Sequence, residues 1–123
     1  MSAADDGSIN DEWSLLRRVH PTQIVPSEGG GEPRVSSAAF KDVSMSVDVE
    51  ESLAAQGKDW KFSLQSHPSH SLVKLIAAIP RSLNQAVVAV PIVDNPAHAE
   101  VRGDKPGSVA RALSKAAAWV HRR

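Results

Sequence analysis

From residue 107 onward, apolar side chains recur at Val109, Ala112, Leu113, Ala116, Ala117 and Val120. Steps of three and four put them on one stripe of an amphipathic helix. Ser108 stands where an N-cap belongs, and His121, Arg122 and Arg123 complement the negative end of the helix dipole. A period of two governs "DVSMSV", where Val43, Met45 and Val47 alternate with Ser44, Ser46 and Asp48 as in a strand with one buried face. "AHAEVRG" alternates as strictly, with Ala97, Ala99 and Val101 on one side and His98, Glu100 and Arg102 on the other. "QAVVAVPI", short, β-branched and ended by Pro91, is a further strand.

Elsewhere the pattern decides less. "EWSLLRRVHP" carries apolar residues at 13, 15, 16 and 19, which fits a helical turn or a strand, and His20-Pro21 ends either. Residues 72–79 form a continuous apolar run, a strand or a short helix before Pro80. Asp48 and Glu51 are spaced as a capping box, so a short helix is expected after Asp48, with Gly57 as its left-handed exit. "KDWKFSL" reads as a short edge strand with Trp60, Phe62 and Leu64 on one face, and "PSEGGGEP" as a loop. Residues 1–10, small and acidic, are expected to be a disordered tail. The fold expected from these elements is α+β, a single domain over 11–123. Its small, mostly antiparallel sheet carries one short helix and a C-terminal helix packed on it.

Composition narrows the picture. A chain of 123 residues that is 41% hydrophobic can close one modest core. With no cysteine, disulfides, thiolate metal sites and cysteine nucleophiles are all excluded. No signal-like segment opens the chain and no apolar run is long enough to span a membrane, so a cytoplasmic protein without membrane contact is expected. The net charge of zero conceals a gradient: residues 1–62 carry 11 acidic and 6 basic side chains, residues 63–123 carry 3 and 8. Such polarity suits charge-complementary association with a protein partner, or packing of the two halves against each other. The basic ridge of Arg111 and Lys115 has no aromatic platform beside it, so nucleic acid is not expected as a partner.

Candidate chemistry is sparse. The three glycines of 29–31 match neither a P-loop nor a dinucleotide fingerprint, and no cofactor is expected. His67 and His70 have an H-x-x-H spacing, but Pro68 argues for a loop in which the rings need not converge, and no metal site is expected. His98-Ala99-Glu100 copies the H-x-E half of a zinc deaminase whose cysteine ligands this chain lacks. No G-x-S-x-G elbow marks a serine hydrolase. Arg17 or Arg18, then Ser36-Ser37, then Glu100 follow the arginine, serine, glutamate order of one branch of ADP-ribosyltransferases. In that alternative, carried by Arg18, Ser36 and Glu100, the arginine grips a pyrophosphate and the glutamate orients a ribose hydroxyl or stabilises developing oxocarbenium charge.

The layout "RRVHP", "RVSSAAFKD", "SMSVDVE" and "DNPAHAEVRG" resembles a type of small bacterial protein without an assigned activity, over about residues 14 to 120. The resemblance implies a bacterial, cytoplasmic, stand-alone domain and transfers no catalytic residue. Two settings remain for His98. It joins Glu100 and Arg102 in a surface pair, or it belongs to a groove where His20, Ser36, Ser37, His98 and Glu100 meet a ligand. The function expected is that of a non-enzymatic binding or accessory module with a charge-polarised surface, the nucleotide-dependent transferase being the alternative.

Overall fold

The computed structural model describes residues 5–122. Its first strand, β1 (Ser14–Val19), buries Leu15 and Val19 on one face and Leu16 on the other. A strand covered on both faces loses the alternation that marks a half-buried one. After β1, His20 caps a 3₁₀ turn, and β2 (Ile24–Val25) pairs with β3 (Arg34–Val35) as a separate two-stranded ribbon. Between them Gly29 and Gly30 take φ of 76° and 79°, left-handed conformations that a side chain disfavours. The 3₁₀ turn Ser37–Phe40 leads to β4 (Ser44–Val49), then α1 (Glu50–Ala55) and a second long 3₁₀ turn, Trp60–Leu64. β5 (Ser71–Ile76), α2 (Ala78–Ser82), β6 (Ala86–Ala89), β7 (His98–Arg102), α3 (Gly107–Ala116) and β8 (Ala118–His121) complete the chain.

Six strands form one antiparallel sheet in the order β6-β7-β4-β1-β5-β8. The fold is thus α+β, with the expected C-terminal helix docked on the sheet. One face packs Leu15, Met45, Val47, Val73, Val87 and Val101 against Phe40 of the 37–40 turn and Ala110 and Leu113 of α3. On the opposite face a smaller cluster joins Leu16 and Leu72 to Leu53 of α1 and Leu64, with Trp60, Phe62 and Val120 at its margin.

Several expectations are corrected. Of the segment expected to be a disordered tail, residues 1–4 lie outside the described residues, and residues 5–10 make contacts with the rest of the chain. Ile9 is 3% exposed within the main core, and Asp6 N–H donates to the Val87 carbonyl at 3.0 Å. The Asp48 capping box does not form. Val49 is the N-cap of α1, Asp48 is buried within β4, and Glu51 Oε1 accepts the Ser14 N–H at 2.9 Å. Gly57 does take the left-handed conformation, φ 74°. "KDWKFSL" winds as a 3₁₀ turn, its Asp59 side chain accepting the Lys61 N–H, and it covers the sheet as a lid where an edge strand was expected. Residues 72–79 divide between β5 and α2. α3 begins at Gly107 after Pro106, without a Ser108 cap, and stops at Ala116 because Ala117 turns extended (ψ 136°) into β8. There Trp119 pairs with Val73 and donates its indole N–H to the Pro33 carbonyl at 3.0 Å. The charge gradient is partly consumed inside the fold: Arg81 holds Asp5 and Asp11 at 3.0 and 2.7 Å, and Arg122 meets Glu32 at 3.1 Å.

Candidate functional site

Alternation sends Arg18, Asp48, His98 and Glu100 to the face away from α3. The register sets Asp48 across from His98 and Ser46 across from Glu100. Over part of this face the 60–64 turn, the segment after it and the "DNP" turn raise walls. Between them lies an open cleft of about 550 Å³ whose lining includes Arg18, Asp48, Ser63, His67, Asn95 and His98.

Asp48 organises the floor. It is 3% exposed, and a carboxylate is rarely that buried without partners. Its Oδ2 accepts from Ser63 Oγ at 2.5 Å, its Oδ1 accepts from Asn95 Nδ2 at 2.6 Å, and Arg18 Nη1 stands 4.0 Å from Oδ2. One side chain therefore ties both walls to β4. Arg18 Nη1 also donates to the Ser63 carbonyl at 3.3 Å. His98 Nδ1 lies 2.9 Å from the Val90 carbonyl. A carbonyl only accepts, so Nδ1 bears a proton, and in the neutral imidazole Nε2 is then the acceptor.

His67, at the edge of the cleft, meets His70 edge to face with ring centroids 5.1 Å apart, and His70 meets His20 in the same way at 5.2 Å. The two rings, which a loop around Pro68 did not require to converge, are in contact. Burial, the largest influence, lowers the basicity of both His67 and His70. The Arg18 charge adds to this at both, and the neighbouring imidazoles add to it at His70. Among the described residues, no group of three metal-ligating side chains is placed to hold an ion, and no helix is long and apolar enough to cross a membrane.

The sequence-predicted residues divide. His98 lines the cleft, and His20 reaches it only through the chain of histidine rings, its own Nδ1 accepting the Thr22 N–H at 3.1 Å. Ser36 caps its own turn, accepting the Ala38 N–H at 3.1 Å. Ser37 opens that turn, whose Ala39 and Phe40 belong to the α3-side core. Neither serine lines the cleft. The order arginine, serine, glutamate is therefore not gathered into one pocket. Arg18 faces Asp48, while Arg17 points to the other side and clamps the Ala39 and Ser46 carbonyls and Asp42. Glu100 Oε1 accepts from Arg102 Nε at 2.8 Å, the local surface pair that alternation allows, without His98 as a third member.

Asp48, Ser63 and Asn95 escaped the sequence reading. Asp48 sits at a polar position of its strand and looks like a helix cap, and Asn95 reads as a turn residue; neither pattern announces a carboxylate shared between two loops. No serine–histidine relay is formed here, because Ser63 Oγ donates to Asp48 and His98 Nδ1 to the Val90 carbonyl. Compared with known proteins, the chain matches no family model, no curated protein and no solved structure.

Proposed function

We propose that this chain is a non-enzymatic binding module that takes a polar segment of a partner protein into the cleft between the 60–67 and 92–95 walls. The observation that supports the reading is the division of labour among the cleft's polar groups. Asp48, Ser63 and Asn95 spend their hydrogen bonds on one another, whereas His98 presents an Nε2 lone pair and Arg18 has N–H groups beyond the Nη1 that serves Ser63. A fixed donor beside a fixed acceptor is complementary to an amide, whose carbonyl meets the guanidinium and whose N–H meets the imidazole. Opposite charges across the Arg18–Asp48 pair leave a floor suited to a neutral, hydrogen-bonding group.

The test is titration of isotopically labelled protein with blocked tripeptides carrying an asparagine at the centre, followed by amide chemical shifts. Perturbations should centre on Arg18, Asn95 and His98, and Arg18→Ala or His98→Ala should abolish them while leaving the fold intact. Shifts scattered over the surface, or shifts that survive both substitutions, would reject the reading.

A further inference from the structure

The segment between the 60–64 turn and β5 forms one wall of the cleft, and little ties it down. Gln65, Ser66, Pro68 and Ser69 are exposed. The backbone N–H groups of His67 and His70 bond to the Leu64 and His67 carbonyls, within the segment or its immediate neighbour. What the segment tucks inward is the pair of imidazoles, in edge contact with each other and, through His70, with His20. The Nδ1 atoms of both His67 and His70 are buried and meet no hydrogen-bond partner.

Arg18 from β1, Asp48 from β4, His98 from β7 and Asp94 from the loop before it line the same cleft as His67, and His20 follows β1. Asp48 is the buried carboxylate of the set, and its oxygens already serve Ser63, Asn95 and Arg18. Its charge favours a protonated His67, but burial and the Arg18 charge outweigh it.

We propose that residues 65–70 are an acid-released flap: protonation of His67 and His70 sets two imidazolium rings edge to face beside Arg18, and the segment swings off the sheet to widen the cleft. Once doubly protonated, each ring must carry a buried Nδ1–H with no acceptor, and such a group pays its desolvation unrelieved. The docked flap binds protons less readily than the released one. Closure is thus fully favoured above the ordinary histidine range near 6.5 and is lost as pH falls below it. The inference stands on the wall itself and not on what the cleft binds.

Amide hydrogen exchange on the whole chain tests it, at about pH 7.5 and about pH 5 with intrinsic rates corrected. Protection of residues 65–70 should fall by about tenfold at the lower pH while β1 and β4 keep theirs. In the double variant His67→Gln/His70→Gln that pH difference should vanish, and the single variants, in case the double one fails to fold, should each reduce it. Equal protection of 65–70 at both pH values overturns the proposal. So does a pH difference that persists in the variants, or one shared by the entire sheet, which would be general acid unfolding. Failure of peptide binding would leave these exchange rates unchanged, so the two proposals fail separately.

Discussion

Asp48 shows how much one side chain can organise. Deep in β4, it joins the 60–64 turn through Ser63, the "DNP" turn through Asn95 and β1 through Arg18. Two neutral donors would lose their acceptor, and a guanidinium its nearby counter-charge, if it were removed. Asp48→Ala should therefore cost about 2 to 4 kcal/mol, well above an ordinary surface carboxylate, because buried donors left unpaired pay their full desolvation penalty. Urea denaturation of the variant measures this. A loss within about 0.5 kcal/mol, the range of unremarkable surface changes, would mean that the walls stand without it. Gln85 and Gly103 form a second close pairing of this kind. The glycine has φ 146°, and a Cβ there would lie 2.7 Å from Gln85 Oε1, so the turn after β7 is confined to a residue without a side chain.

Among the elements, α3 and β8 divide a stretch that reads as one helix. Leu113 is fully buried and Val109 and Ala112 are half-buried, whereas Ala116 is exposed, so the apolar stripe faces the core only along part of its length. Leu113→Ala should lower stability by about 2 to 5 kcal/mol, read from the shift of the denaturation midpoint, and an unchanged midpoint would show that α3 is not docked. The stripe extends to Val120, yet the helix ends four residues earlier, because residues 118–121 pair with β5 and Trp119 and Val120 cover opposite faces of the sheet. Periodicity registers which residues are apolar and cannot register that a strand edge is vacant nearby. The same limit explains the other elements. β4 and β7 were legible because one face of each is polar. β1 and β5 were ambiguous because Leu15 and Leu16, or Leu72 and Val73, are buried back to back. Trp60, Phe62 and Leu64 mimic a strand's alternation although they belong to a 3₁₀ turn that contacts β1, and all three join the smaller cluster. Of the site, His98 was legible as a polar residue on an apolar-backed strand. Its surroundings were not, because Ser63 and Asn95 come from turns whose positions only the closed sheet fixes.

At the scale of the molecule, the two oppositely charged halves are sewn together by the start of the chain. Deleting residues 1–10 removes buried Ile9 and two of the groups that hold Arg81, Asp5 and the Asp6 carbonyl. A loss of about 2 to 4 kcal/mol is expected, measured by thermal or urea denaturation, and an unaltered melting curve would show the segment to be dispensable. Asp5 Oδ1 also accepts the Val87 N–H at 2.9 Å and Asp6 Oδ2 accepts the Ala89 N–H at 3.0 Å, so carboxylates occupy the outer ladder positions of β6 where a seventh strand would pair. A bare β6 edge, with its "AVVA" sequence, would be a template for a strand from another molecule. The two aspartates hold that place with groups that cannot propagate a sheet and that repel each other's copies. The consequence is colloidal as well as structural: with the outward N–H groups of Val87 and Ala89 occupied, that edge offers another copy no bare ladder to extend, and the guard comes from the sequence's least protein-like stretch.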